Sequence, residues 1–160
     1  MVEESLFSEN TVPFQKKNSP LRLFMKGFGR GDYSKMKLNP DTVVWEYTLR
    51  CDSACLHCGS DAKDPRKNEL DTAESLDLID QIADIGFKLV VLSGGEPTLR
   101  KDWPVIGAKI NKKNIDFAII SNALAWNETT INNLEKLNPF SIGLSVDGEE
   151  ETHDYLRGYK

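Results

Sequence analysis

Three cysteines stand within eight residues, Cys51, Cys55 and Cys58, and the rest of the 160-residue chain has none. Thiolates at this density bind soft metals. A disulfide framework would spread its cysteines along the chain and favour an even number. Three thiolates on one short loop can hold three irons of a four-iron cluster. A closed four-iron site uses four cysteines, so the fourth iron here would keep an open position. An open position is what a metal needs to bind a reacting molecule. Two other readings stay open on spacing alone. His57 could complete a Cys3His zinc site, with four donors crowded into one loop. The bland alternative is three unliganded cysteines.

The loop must be held by regular elements, and the pattern around it supplies them. Residues 42–49 (TVVWEYTL) are rich in β-branched and aromatic types and predict a strand that feeds the cysteines. Residues 71–85 predict a helix with Ala73, Leu76, Ile79, Ile82 and Ala83 at helical spacing. Asp71 and Glu74 have capping-box spacing at its start, and Gly86 closes its end. Residues 88–92 form a short apolar run, as in a strand buried on both faces. A helix over about 102–113 tolerates Pro104 in its first turn. A strand over 115–120 follows, then a helix over about 127–137, capped by Asn127, with Ile131 and Leu134 facing inward. Residues 140–146 (FSIGLSV) predict a fourth strand.

Strand and helix alternate four times, which predicts an α/β fold of βα units on a parallel sheet. Chemistry in such folds gathers at the carboxyl ends of the strands. The unusual residues stand there: the cysteines after strand one, Gly94-Gly95-Glu96-Pro97 after strand two, Ser121-Asn122 after strand three, and Ser145, Asp147 and Gly148 at the end of strand four. Residues 1–40 read as an N-terminal extension, with an apolar patch at Leu21, Leu23, Phe24, Met25 and Phe28.

A formal net charge of -5 makes the chain a poor default partner for nucleic acid. No apolar run has the length of a bilayer span. The first ten residues put acids where a signal peptide needs bases. We therefore expect no membrane partner and a cytoplasmic location, where thiols stay reduced.

Cys51-x3-Cys55-x2-Cys58 after a first strand resembles the signature of the radical S-adenosylmethionine (radical SAM) superfamily. Gly94-Gly95-Glu96-Pro97 is similar to that family's glycine-rich motif. Ser145-Val-Asp147-Gly148, followed by His153-Asp154 and Arg157, resembles a SPASM-type subgroup that modifies peptides and proteins. The resemblance runs from about residue 43 to 158 and weighs against zinc. It implies a partial (β/α) TIM-type barrel, about four βα units of the six expected, with residues 41–160 as the core domain.

The resemblance also implies roles. Cys51, Cys55 and Cys58 would bind a [4Fe-4S] cluster whose open iron takes the amino and carboxylate groups of S-adenosylmethionine. Gly94 and Gly95 would bring backbone close to its methionine part, and Glu96 would accept a hydrogen bond from its amino group. Asn122 would reach the ribose region. Ser145 and Arg157 would hold the carboxylate, and His57 would stack near the adenine. His153 would be a structural hydrogen-bonding residue. The implied reaction is reductive cleavage of S-adenosylmethionine to a 5′-deoxyadenosyl radical that takes hydrogen from a peptide or protein. An electron donor such as flavodoxin or ferredoxin would supply the electron. The alternatives are a non-catalytic iron–sulfur electron-transfer module or an inactive remnant. Because Lys160 follows the fourth strand closely, we expect a truncated frame, a fragment, or half of a split enzyme with a complementing C-terminal fragment. The fourth strand would then be an exposed apolar edge.

Overall fold

The computed structural model describes residues 41–159, so the proposed extension and its apolar patch lie outside the described residues. Four strands form one sheet in the order β1-β2-β3-β4, all neighbours parallel: β1 Thr42–Thr48, β2 Leu89–Gly94, β3 Asp116–Ser121 and β4 Ser141–Leu144. Each is followed by a helix: α1 Thr72–Ile85, α2 Trp103–Lys112, α3 Glu128–Leu137 and α4 Glu150–Arg157. A sheet that grows by one parallel strand per βα unit, always on the same side, is a segment of a (β/α) barrel.

Local chemistry explains the helix ends. Asp71 accepts from Glu74 N while Glu74 reaches back to Asp71 N, a complete capping box, and Gly86 closes α1 in the left-handed conformation. Asn127 accepts from Thr130 N and caps α3. Asp102 precedes α2, but its carboxylate turns away from the helix to Arg100 and Thr72.

The core lies between one face of the sheet and helices α1 to α3. Val90, Leu92, Phe117 and Ile119 of the central strands meet Ile79, Ile82, Ile106 and Ile110, all essentially buried. Val43, Trp45 and Tyr47 extend it along β1. The opposite face is more open, with Val44 and Ile120 exposed and Leu89 and Val91 half-buried. The expectation that the second strand is buried on both faces is thus met on one face only. In a barrel segment the second face looks into the lumen, and among the described residues no helix covers it.

Two expectations need correction. Ile131 is 47% exposed, and the inward face of α3 is carried instead by Thr130 and Leu134, four residues apart. The fourth strand stops at Leu144, although Ser145 N still bonds Ser121 O, 3.0 Å. Its residues are all exposed, and Phe140, Ile142, Leu144 and Val146 leave it an apolar edge, as expected. Among the described residues no helix is long and apolar enough to cross a membrane.

Candidate cluster and cofactor site

The cysteine loop leaves β1 and closes on itself. Arg50 bridges to Lys63, and Cys51 N donates to Lys63 O, 3.0 Å. Glu69 secures the entry: it accepts from Leu49 N (2.7 Å), Arg66 N (3.0 Å) and the Thr48 hydroxyl (3.1 Å). Arg66 and Ser60 both bond Glu46, which ties the far side of the loop to β1.

The two glycines after β2 fit against this entry. A Cβ on Gly94, whose φ is 155°, would stand 2.2 Å from Thr48 O, and one on Gly95 would stand 2.3 Å from Arg50 O. Glycine is therefore required by the chain's own backbone. In return Gly95 N donates to Thr48 O (2.8 Å) and Glu96 N to Arg50 O (2.7 Å). The turn after β2 is thus stitched to the residues that launch the cysteine loop.

Glu96 is fully buried. Its Oε1 accepts from Thr98 N (3.0 Å), the Thr98 hydroxyl (2.5 Å) and the Ser121 hydroxyl (2.8 Å), and its Oε2 from Asn122 N (2.8 Å). It caps the 3-10 turn Pro97–Leu99 and also joins the ends of β2 and β3. Ser121 extends the network by accepting from Ala123 N and Trp126 Nε1, both 2.9 Å. Sequence reasoning noted Ser121 only as a loop residue and gave it no role.

Each cysteine sulfur faces an N–H group. Asn122 Nδ2 lies 3.9 Å from Cys51 Sγ while bonding Asp52, 2.8 Å. Arg157 Nη1 lies 3.6 Å from Cys55 Sγ. Ala62 N lies 3.3 Å from Cys58 Sγ. The Ser53 hydroxyl adds a 3.2 Å contact to Cys55. Cys51 and Cys55 are half-buried and Cys58 is exposed. Burial pushes the Cys51 thiol up, with Asp52 and Cys55 adding to the shift. A positive metal centre reverses that cost, since a coordinating thiol is deprotonated. Among the described residues no three His, Cys or acidic side chains gather where one ion would sit. Three sulfurs with N–H groups directed at them fit a cluster of thiolates.

Helix α4, which sequence reasoning missed, completes the surroundings. Its carboxyl end docks on the loop: Leu56 N donates to Leu156 O (2.8 Å), and the Ser53 hydroxyl contacts Arg157 O (3.3 Å) and the Tyr159 hydroxyl (3.2 Å). The Arg157 side chain is 13% exposed, so it is no free surface arginine. It grips Asp147 with two bonds, Nε to Oδ2 at 2.5 Å and Nη2 to Oδ1 at 3.1 Å. Arg157, with help from the nearby histidines, holds the Asp147 carboxyl below the usual range. Asp147 N donates to His153 Nδ1 (3.3 Å), the structural role expected of that histidine. His57 Nε2 lies 3.7 Å from Asp147 Oδ2, on the exposed side. The structure therefore brings Asn122 and Arg157 to the cysteine loop, which itself carries His57. Ser145 stands half-buried just past β4. Asp147 stands in the motif that the sequence singled out, but its two-pronged bond to Arg157 was not foreseen.

The family model described as the radical SAM superfamily matches residues 45–160. Fe-coproporphyrin III synthase of Methanosarcina barkeri (strain Fusaro / DSM 804) is 40% identical over 119 residues, 74% of this chain and 30% of the relative. PqqA peptide cyclase of Xanthomonas campestris pv. campestris (strain B100) is 32% identical over 123 residues, 76% of this chain and 33% of the relative. The chain thus spans about a third of the length of these relatives. Among solved structures, Streptococcus suis SuiB bound to S-adenosylmethionine has a TM-score of 0.65 at 23% identity, over 76% of this chain and 28% of that one. SuiB bound to its precursor peptide SuiA has a TM-score of 0.67 at 20% identity, over 98% and 36%. Likeness at that identity speaks for the barrel fold, and the family match carries the rest. Because that match takes in the cysteine loop and the three strands after it, the chain belongs to the radical SAM superfamily, which uses a [4Fe-4S] cluster and S-adenosylmethionine.

Proposed function

We propose that this chain binds a [4Fe-4S] cluster through Cys51, Cys55 and Cys58 and serves the reductive cleavage of S-adenosylmethionine. The observation that carries the reading is the three-cysteine loop whose sulfurs each face an N–H group at the carboxyl end of a parallel sheet. When bound, the cluster and S-adenosylmethionine supply a 5′-deoxyadenosyl radical that takes a hydrogen atom from substrate. The chain's own residues hold and shield. We assign the methionine end to the Gly94-Gly95-Glu96 turn, with its amino group on Glu96 Oε2, which carries one bond where Oε1 carries three. We assign the carboxylate to Ser145 and Arg157. A guanidinium has five N–H donors; Asp147 takes two and Cys55 one, so two remain. Asn122 is assigned to the ribose and His57 to the adenine, which an imidazole can stack against. A reduced flavodoxin or ferredoxin is the electron donor we assign, and a reducing cytoplasm keeps the three thiols free.

A peptide or protein is the substrate class we propose, supported by the peptide named for PqqA cyclase and by the SuiB–SuiA complex. A second reading, a tetrapyrrole, is favoured by the 40% identity to Fe-coproporphyrin III synthase. Both matches span only about a third of the relatives' length, so identity there does not rank substrates. The test is anaerobic reconstitution, reduction with dithionite and measurement of 5′-deoxyadenosine. Formation dependent on all three cysteines is expected. A brown, reduced protein that leaves S-adenosylmethionine intact would favour the electron-transfer module. Stimulation of turnover by a precursor peptide or by an iron porphyrin separates the two substrate readings.

A further inference from the structure

We infer that Asp147 is the positioning residue of Arg157, and that the pair together directs a hydrogen bond at the Cys55 sulfur that raises the cluster's reduction potential. The inference rests on the cluster reading above. Asp147 stands in the loop after β4 and Arg157 ends α4, so the pair joins two elements. Asp147 holds the side edge of the guanidinium, Nε and Nη2, by two bonds. A guanidinium is planar and rigid. Fixing Nε and Nη2 therefore fixes Nη1, and Nη1 is the atom 3.6 Å from Cys55 Sγ, within the longer reach of a sulfur acceptor. Both ends of the device are themselves anchored. Asp147 N bonds His153 Nδ1, and the backbone beside Arg157 bonds the cysteine loop through Leu156 O. Asp147 and Arg157 are both half-buried, so water reaches the fork only in part.

Hydrogen bonds to the sulfurs and local charge are what tune an iron–sulfur potential. An N–H from a cation stabilises the reduced, more negative cluster and raises its potential. Asp147 is an anion, so charge alone says that its removal should raise the potential further. The positioning role says the opposite: without Asp147 the guanidinium swings off Cys55 and the potential falls. The two accounts differ in sign.

The experiment is a redox titration of the reconstituted chain and of Asp147→Asn, Arg157→Ala, Arg157→Lys and Asp147→Asn/Arg157→Ala, with iron content measured on each. We expect equal iron content and a lower potential in all three single variants. The double variant should stand no lower than Arg157→Ala, because Asp147 acts through the arginine. Arg157→Lys keeps the charge but cannot be held by a two-pronged bond, so a wild-type potential in it would overturn the inference. So would an unchanged or raised potential in Asp147→Asn with its cluster intact. Should Asp147→Asn fail to take up iron, the lysine variant decides. A wild-type chain that takes up no cluster would sink the reading beneath, and the inference with it.

Discussion

Gly95→Ala tests the joint between the turn after β2 and the cysteine loop. The new Cβ would stand 2.3 Å from Arg50 O and 2.7 Å from Leu49 O, about 0.7 Å inside the closest approach a Cβ tolerates. The obstacles are backbone atoms, so no side chain can swing aside. Relief requires the two strands' ends to part, which strains or breaks the bonds Gly95 N to Thr48 O and Glu96 N to Arg50 O. Each such bond is worth about 0.5–1.5 kcal/mol, and forced overpacking costs about 1–3 kcal/mol more. The sum, roughly 2–6 kcal/mol, is a large part of the stability of an ordinary domain. In urea the midpoint should fall by about 1 M or more. Iron uptake should fall with it, because the parted backbone is the one that launches Cys51. Gly107→Ala is the control. Its Cβ would meet the Leu137 and Phe117 side chains at 3.2 and 3.3 Å, and alanine is the better helix former by about 1 kcal/mol. A Gly95→Ala midpoint equal to that of wild type would refute the reasoning.

Glu96→Gln sets an amide N–H against donors whichever way it turns, and we expect a loss of about 1–3 kcal/mol, read as a thermal midpoint lower by roughly 5 °C or more; an unchanged midpoint would count against the four-bond network. Glu69→Ala frees Leu49 N and Arg66 N, so amide exchange at Leu49 should quicken and iron uptake drop; unaltered exchange would contradict the anchoring role. Acid should weaken the fold through Asp102: burial pushes its carboxyl up, but bonds from Arg100 and Thr72 outweigh this and hold it below the usual range. A carboxyl lowered on folding adds stability in full above its ordinary value of about 4, and loses it as pH falls through the folded value. The urea midpoint of wild type should therefore fall between about pH 5 and pH 2 more steeply than that of Asp102→Asn, and parallel curves would contradict the linkage.

The parts of this molecule legible in the sequence are those fixed by neighbours in the chain. Asp71, Glu74 and Gly86 mark α1 because caps act over three or four residues. Cys51, Cys55 and Cys58 announce a metal because their chemistry and spacing are local. The position of Ile131 shows the limit: with Thr130 and Leu134 one face of α3 is set, and a residue one step away turns about 100° from it. Helix α4 was illegible because Glu150–Arg157 buries no residue and shows no apolar stripe. It is held by its carboxyl end on the cysteine loop, a long-range relation that no periodicity encodes. The same holds for Asp147, whose grip on Arg157 needs the loop after β4 and the end of α4 to meet. The glycines were legible as necessary. The structure adds that the atoms crowding them are the carbonyl oxygens of Thr48 and Arg50.

The most direct test of the account is the electron paramagnetic resonance spectrum of the reduced, reconstituted protein with and without S-adenosylmethionine. Three cysteines leave one iron open, so a reduced four-iron signal should appear and should change when the cofactor is added. Cys51→Ala, Cys55→Ala and Cys58→Ala should each abolish it. A colourless protein that binds a single zinc tightly, or a cluster signal unmoved by saturating S-adenosylmethionine, would contradict the claim that this loop holds a cofactor-binding cluster.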